Sequence, residues 1–255
     1  MKRRIGLWFL SLFFILFPQM PAFGGKPNPR LVMFVGVDIS GSFLRGQYFE
    51  DSMDFLAQYI YAHVNGVGGL EVPHSLFVGS IGGDKVDEPK TLFPIQTFQN
   101  QSVDQIRTRL ASMFPKTKSN PFTDFNAFFE QIRQTVDNRA LLMRPVSIVM
   151  ISDGKPDVPG KSGRDAMRTI KLKPLENLSR NVTLRLLYTD AVTGASWQND
   201  VPRQRVKVWT QDAQVMTEWK RPNILKKGRN LASQDRLFSW IKDNVDFGVR
   251  TRSVK

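Results

Sequence analysis

Three oxygen-bearing side chains follow the first apolar run of the sequence at alternate positions. Asp38, Ser40 and Ser42 come directly after Leu31–Val37 in the stretch LVMFVGVDISGSFLRG. Alternate residues of an extended segment point the same way, so these three can converge while Gly41 permits a turn. One carboxylate and two hydroxyls are hard oxygen ligands that suit Mg²⁺ or Mn²⁺. The spacing therefore favours a divalent-cation site, although a polar turn that caps a following helix would use the same residue types.

Two further polar segments point to the same edge of a sheet. Asp153, in Ser152-Asp153-Gly154, follows the apolar run Val146–Ile151, and Thr123 lies in the loop before a Phe-rich helical pattern. In open parallel α/β sheets, ligands bind at the carboxyl ends of strands where the strand order reverses. We therefore expect Asp153 and Thr123 to join the first three side chains.

These pieces, in this order, resemble the von Willebrand factor A (vWA) domain and its metal-ion-dependent adhesion site (MIDAS). That pattern is D-x-S-x-S, then a Thr, then an Asp in a T-D-G or S-D-G turn, and the order of elements extends the resemblance over residues 30–247. The resemblance implies one Mg²⁺ or Mn²⁺, bound directly by Ser40 and Ser42. It implies that Asp38 and Asp153 act largely through water, or exchange roles with Thr123. The remaining coordination position would accept an Asp or Glu side chain from a partner protein.

The chain departs from that family pattern in two places. Asn120-Pro121-Phe122 stands before Thr123 where many members have glycines. A long basic insertion near residues 220–230 separates the sixth strand from the last helix.

Apolar runs bounded by turn residues alternate with amphipathic patterns along the chain. The predicted buried strands are Leu31–Val37, Ser75–Ser80, Val146–Ile151, Thr183–Tyr188 and the shorter Val206–Trp209, with Thr91–Phe98 as an edge strand. The predicted helices are Gln47–Val64, Ser102 to about Phe114, Asp124–Asn138, one from Gly163 that weakens at Pro174, and Ser233–Val245. This alternation predicts an α/β fold. We expect a doubly wound, mainly parallel central sheet with one antiparallel edge strand and helices on both faces.

The first 24 residues have the layout of a secretory signal peptide. Three basic residues precede an apolar run, Ile5–Phe17, and the small residues Ala22 and Gly24 occupy the −3 and −1 places of a cleavage site. The run is shorter than a bilayer span of about 20 residues, so cleavage is favoured over an uncleaved anchor. We expect a single domain over residues 25–255, with no transmembrane segment in the mature chain.

The composition limits the cellular compartment and the classes of partner that can be expected. The sequence has no Cys, so no disulfide or lipoprotein acylation site is available, and an exported, periplasmic location is preferred to secretion. The formal net charge is +13, and removal of residues 1–24, with three basic and no acidic residues, leaves +10. Anionic partners are favoured, but not nucleic acid for an exported protein. The basic stretch Lys220–Arg229 could contact an anionic surface or be an ordinary solvated loop.

The residues also allow other functions to be weighed. Asp38 could be the nucleophile of a metal-dependent hydrolase or phosphatase, but Ser40 stands where a D-x-D general acid would be needed. His63 and His74 are predicted at the opposite rim of the sheet, which argues against a Ser-His-Asp triad. The sequence thus favours a non-enzymatic, metal-dependent protein-binding module. The alternatives are that hydrolase, or a basic binder of anionic cell-surface polymer with a vestigial metal site.

Overall fold

A six-stranded sheet in the order β3-β2-β1-β4-β5-β6 forms the centre of the protein. The computed structural model describes residues 29–82, 91–117, 123–158 and 160–247. The strands are β1 (Val32–Asp38), β2 (Ser75–Ile81), β3 (Phe93–Pro94), β4 (Val146–Ile151), β5 (Val182–Thr189) and β6 (Lys207–Asp212). All pair in parallel except β3, which is antiparallel to β2. The predicted doubly wound α/β architecture with one antiparallel edge strand is confirmed.

Helices cover both faces of the sheet. They are α1 (Gly41–Leu44), α2 (Phe49–Asn65), α3 (Val103–Met113), α4 (Phe125–Asn138), α5 (Gly163–Met167), α6 (Lys173–Glu176), α7 (Ala191–Asn199), α8 (Ala213–Met216) and α9 (Asp235–Asn244). One hydrophobic cluster holds the apolar residues of α1, α2, α3, α8 and α9, and a second holds those of α4 to α7. The strands lie between these two clusters.

The apolar runs of the sequence supply both clusters at once. In β1, Met33 and Val35 contribute to the α2 cluster, whereas Val32 and Phe34 contribute to the α4 cluster. Successive strand residues point to opposite faces, so a strand covered on both sides has to be apolar throughout. This requirement is why the central strands read as continuous runs rather than as an apolar/polar alternation.

Two helix starts agree with their sequence signals in atomic detail. The Ser102 side chain accepts a hydrogen bond from Gln105 N while the Gln105 side chain accepts one from Ser102 N, so a capping box forms at the predicted start of α3. Asp124 caps α4 by accepting a hydrogen bond from Ala127 N at 2.9 Å. The glycine-rich turn after α2 begins with Gly66 in the left-handed region, which ends the helix.

Two element predictions are corrected, and α7 is a helix that was not predicted. The expected edge strand Thr91–Phe98 forms β-structure only at Phe93–Pro94 and continues as a 3₁₀ turn, because Pro94 has no amide to donate along a ladder. The helix expected from Gly163 is two short helices, α5 and α6. Helix α7 was missed because its sequence, AVTGASWQN, carries no regular apolar stripe.

The basic insertion is anchored at its start. After β6 the chain forms α8 and a 3₁₀ turn, Thr217–Lys220, before the exposed residues that follow. Trp219 Nε1 and Lys220 Nζ both donate to the carboxylate of Asp51 on α2, at 3.3 and 2.5 Å. Tyr188 donates to the same carboxylate at 2.9 Å.

The predicted signal peptide lies outside the described residues, as do Asn120, Pro121 and Phe122. In the described part of the chain, no helix is long and apolar enough to cross a bilayer.

Candidate metal centre

The polar strand ends meet where the strand order reverses. Strand β1 pairs with β2 on one side and with β4 on the other, so the chain winds outward in two directions from the β1–β4 pair. Asp38 ends β1, while Ser152 and Asp153 directly follow β4. The doubly wound topology therefore brings these two segments together at the carboxyl edge of the sheet, the place where such sheets bind ligands.

The carboxylate of Asp38 is wholly buried at this edge. Its Oδ1 accepts a hydrogen bond from Ser40 N at 2.8 Å, and its Oδ2 accepts one from Ser152 Oγ at 2.6 Å. The pKa of Asp38 is raised from 3.8 to about 6, mainly because burial removes the carboxylate from water. These hydrogen bonds oppose the rise, and the charge of Asp153 adds to it. The edge thus holds a negative charge that a nearby cation would stabilise.

Two hydroxyls lead from this carboxylate toward solvent. Ser40 is 5% exposed and Ser42 is exposed, and their Oγ atoms lie 3.2 Å apart. Ser40 is the last extended residue before α1, and Gly41 begins the turn of helix that carries Ser42. Asp38, Ser40 and Ser42 therefore lie close together as predicted, and their side-chain oxygens extend from the interior to the surface.

The Ser152–Gly154 turn holds Asp153 beside this series. Asp153 is half-buried, and its Oδ1 accepts a hydrogen bond from Lys155 N at 3.1 Å. Gly154 has a φ of +78°, and a Cβ at this position would come within 2.7 Å of Leu186 and 3.0 Å of Trp197. Trp197 Nε1 donates to Gly154 O at 2.7 Å. Only glycine fits this packed, left-handed position, so the S-D-G sequence has a structural cause.

Thr123 is buried in the segment that enters α4, one residue before the Asp124 cap. Within the described part of the chain, no hydrogen bond joins Thr123 to Asp38, Ser40, Ser42 or Asp153. Its predicted place at the metal stays a prediction. Asp124 caps α4 through its bond to Ala127 N, and Asp157 lies in the loop after the Ser152–Gly154 turn.

Three participants were not predicted from the sequence. Ser152 binds the Asp38 carboxylate and also accepts a hydrogen bond from Gly154 N at 2.9 Å, so it connects β1 to the turn. Thr189 Oγ1 donates to Asp153 O at 3.1 Å, and Asp190 lies 3.6 Å from Lys155 Nζ. Thr189 ends β5, so the strand-end argument applied to Asp38 and Asp153 could have found this pair as well.

Both histidines lie away from these oxygens. His63 is buried on α2, with Nε2 3.4 Å from Asp246 Oδ2 and Nδ1 2.8 Å from Glu71 O. His74 is exposed in the segment that enters β2, at the amino edge of the sheet. Their positions agree with the structural roles expected of them.

The donor set fits a hard cation. It consists of carboxylate and hydroxyl oxygens, with no Cys in the sequence and no His nearby, so it suits Mg²⁺ or Mn²⁺ better than Zn²⁺. Among the described residues, no cluster of three or more His, Cys, Asp or Glu side chains could hold a metal. The candidate site has two carboxylates and relies on hydroxyls for the remaining protein ligands.

Comparison with known proteins yields similarity of structure only. The chain is similar to proximal thread matrix protein 1 from the mussel byssus, with 13% identity and a TM-score of 0.46, over 75% of this chain and 46% of that one. It is similar to the manganese-loaded TRAP protein of Plasmodium vivax, with 13% identity and a TM-score of 0.46, over 76% and 73%. The SpRpn10 VWA domain gives 13% identity and a TM-score of 0.41, over 71% and 88%.

This chain thus spans less than half of the mussel protein. No protein-family model and no curated protein matches the sequence. At these identities nothing about ligands or partners follows from the likeness.

Proposed function

We propose that this chain is an exported vWA-like protein that binds one divalent cation through Asp38, Ser40, Ser42, Thr123 and Asp153. The cation, Mg²⁺ or Mn²⁺, holds an acidic side chain of a partner protein. The protein is an interaction module with no catalytic role. Its export rests on the signal-peptide layout of residues 1–24, and the periplasm is the proposed compartment.

One observation carries this proposal: a fully buried carboxylate and two hydroxyls meet at the point where the strand order reverses. Asp38 has no exposed surface, and its ionised form is disfavoured by burial. A buried charge is stable only when it is paired or coordinates a metal. The hydrogen bonds from Ser40 N and Ser152 Oγ pair it in part, and a cation at the adjacent hydroxyls supplies the rest.

The open side of this site explains the proposed partner. Ser42 is exposed and Asp153 is half-buried, so a bound ion would face solvent on that side. Hydroxyl ligands carry no charge, and two carboxylates that act largely through water leave the ion electron-poor. An outside Asp or Glu would complete its oxygen shell.

The burial of Asp38 also argues against the hydrolase alternative. A nucleophilic carboxylate has to reach the substrate within about 3.5 Å. Both oxygens of Asp38 are engaged inside the protein, by Ser40 N and by Ser152 Oγ. A stabilising role toward a neighbouring ion fits this geometry better than attack on a substrate.

Calorimetric titration of the metal-stripped protein with Mg²⁺ and Mn²⁺ tests the site. We expect saturable binding at one site in the wild type and none in the double variant Ser40→Ala, Ser42→Ala. The matched control is Ser112→Ala, Ser233→Ala, which removes two hydroxyls that bond only to nearby backbone carbonyls. This control should bind metal as the wild type does.

Equal metal binding by both double variants would reject the assignment of the site. If added metal does not affect the protein, and a chelator does not reduce its capture of a partner, the result would instead favour a basic polymer binder with a vestigial metal site. N-terminal sequencing of the protein recovered from the periplasm tests export separately. We expect the mature chain to begin at Gly25.

A further inference from the structure

The two edges of the sheet carry opposite charge. The segments that leave the parallel strands at the carboxyl edge hold five acidic side chains, Asp38, Asp153, Asp157, Asp190 and Asp212, against three basic ones, Arg45, Lys155 and Lys161. The opposite, amino edge consists of the segments that enter those strands. Its basic side chains are Arg30, Arg139, Arg144, Arg180, Arg203, Arg205 and Lys207, against two acidic ones, Glu71 and Asp200, of which Asp200 is paired with Arg164. We call this surface the amino edge.

Parallel pairing places these basic residues on one side of the molecule. Val32 is in register with Ser75 and Val146, Val146 with Val182, and Thr183 with Lys207. The entering segments are joined laterally as well, by hydrogen bonds such as that from Val32 N to Pro145 O at 2.9 Å. None of the seven basic side chains forms an ion pair with another residue in the described part of the chain. Arg203 is engaged by three backbone carbonyls and Arg139 lies over the ring of Phe77. The charge of the other basic side chains, Arg30 and Arg144 among them, is therefore available to an outside partner.

Apolar side chains project from the same edge. Of the four large hydrophobic residues that are exposed in the described ranges, Val72, Leu142 and Met143 lie here, with Met143 61% exposed. Leu142 and Met143 belong to a tight turn in which Met143 has a φ of +65° and its N donates to Leu178 O at 2.8 Å. The turn is held in place by this bond, and its apolar tip is left in solvent.

Basic and apolar groups meet in one shallow cleft. A cleft of about 320 Å³ is lined by Arg30, His74, Leu142, Met143 and Arg144, together with Pro29. Arg144 is also oriented by a hydrogen bond to Pro29 O at 3.4 Å. Guanidinium groups suit phosphate oxygens, and aliphatic tips beside them suit the boundary between lipid headgroups and acyl chains.

We propose that the amino edge docks on an anionic phospholipid membrane, with Arg30 and Arg144 on headgroup phosphates and the Leu142–Met143 turn inserted at the acyl boundary. A nucleic acid or an anionic polysaccharide would match the charge but would gain nothing from the exposed apolar turn. Docking through this edge would leave the candidate metal centre at the opposite edge, facing away from the bilayer. The inference uses no residue of that centre.

Vesicle co-sedimentation in the presence of EDTA tests this surface without a contribution from metal. The protein used is the chain without residues 1–24, because both hydrophobic clusters and all six strands lie within the described residues after Pro29. We expect binding to vesicles of phosphatidylcholine mixed with phosphatidylglycerol, none to phosphatidylcholine alone, and weaker binding as salt is raised.

Variants of the edge separate its two components. A basic residue near an anionic bilayer contributes roughly a fivefold factor in affinity, so Arg30→Glu, Arg144→Glu should lower affinity by about 25-fold or more. Leu142→Ser, Met143→Ser keeps the charge and should lower affinity by at least about tenfold, since it removes the apolar side chains of the inserted turn. The control Lys227→Glu, Arg229→Glu makes the same charge change in the exposed insertion and should leave binding unchanged.

Equal binding to neutral vesicles, or an equal loss in the Lys227, Arg229 control, would overturn the proposal. Unchanged binding of Leu142→Ser, Met143→Ser would show attraction by charge alone and would point to an anionic polymer instead of a membrane. Circular dichroism checks that each variant is folded. If the charge reversal unfolds the protein, Arg30→Gln, Arg144→Gln decides the question, with an expected loss of roughly 25-fold.

Discussion

At the scale of single residues, Asp38 combines a structural cost with a binding role. Its carboxylate has no contact with solvent and is in hydrogen-bond contact with Ser40 N and Ser152 Oγ. Burial raises its pKa to about 6, so the folded protein holds the proton more tightly than the unfolded chain does. Without a cation, stability is therefore greatest when Asp38 is protonated and falls as pH rises from 3.8 through about 6.

We therefore expect Asp38→Asn to stabilise the metal-free protein at neutral pH. The rise of the Asp38 pKa from 3.8 to about 6 corresponds to a free-energy cost of about 3 kcal/mol for ionising Asp38 in the folded protein. The neutral amide of Asn avoids this cost. The gain should vanish toward pH 4, where the wild-type carboxyl is protonated. Urea unfolding at several pH values, in EDTA, measures this difference.

Added Mg²⁺ should reverse the order of stability. Ligand binding to the folded state raises the unfolding free energy of the wild type, whereas the Asn variant has lost the carboxylate that favours the ion. Ser112→Ala serves as a control with no expected pH effect. A variant that is less stable than the wild type in EDTA at neutral pH would show that the buried charge carries no such penalty.

At the scale of elements, the site depends on a turn that one distant helix holds in place. The Ser152–Gly154 turn follows β4, and Trp197 of α7 donates to Gly154 O from the α4 side of the sheet. Trp197 is fully buried and packs edge-to-face on Phe125 with ring centroids 5.0 Å apart. Helix α7 thus sets the position of Asp153 through the backbone rather than through any ligand contact.

We expect Trp197→Phe to weaken metal binding several-fold and to lower the unfolding free energy by about 1–3 kcal/mol, because a buried carbonyl loses its donor. Trp240→Phe, on α9 and in the other cluster, should lower stability without changing the metal affinity. Thermal unfolding and metal titration of both variants measure the two effects. Equal metal affinities for the two variants would show that α7 does not position the metal site.

The regular elements around the site could be predicted because burial imposes simple patterns on them. The apolar runs of β1 and β4, the Phe stripe of α4 and the Ser102 capping box each encode their structure locally. Helix α7 carries no such pattern, since it is started by the Asp190 cap and held through Trp197. The role of Ser152 could not be predicted from the sequence either, because its hydrogen bond to Asp38 joins residues 114 positions apart in the chain.

At the scale of the whole molecule, a buried polar cluster ties the end of α9 to the sheet. Asp246 accepts a hydrogen bond from Tyr59 Oη at 2.7 Å, and its Oδ1 lies 3.9 Å from Nε of Arg185. Arg185 is 1% exposed in β5 and donates to Val245 O and Ser147 Oγ. Desolvation raises the pKa of Asp246, but His63, Arg185 and Tyr59 outweigh it and hold that pKa below its usual value.

We expect Asp246→Asn to cost about 3–5 kcal/mol of unfolding free energy at neutral pH, since it leaves the Arg185 charge buried without its carboxylate partner. A depressed carboxyl pKa contributes stability above the unfolded value and loses it as pH falls. The wild type should therefore lose stability below about pH 4, whereas the variant should show a weaker dependence there.

Asp243→Asn is the matched control, because Asp243 is an exposed residue of α9, three positions before Asp246. Denaturant unfolding at neutral and acid pH distinguishes the two variants. A loss for Asp246→Asn no larger than that for Asp243→Asn would show that the cluster does not hold α9 in place.

The short strand β3 has a further consequence for how copies of this protein behave together. A sheet edge with free backbone amides can template strands from other molecules, which is a common route to aggregation. Strand β3 is two residues long, and Pro94 has no amide hydrogen to offer a neighbouring strand. The β3 edge therefore offers another strand almost no backbone donors, and it should resist strand-to-strand polymerisation in a crowded compartment.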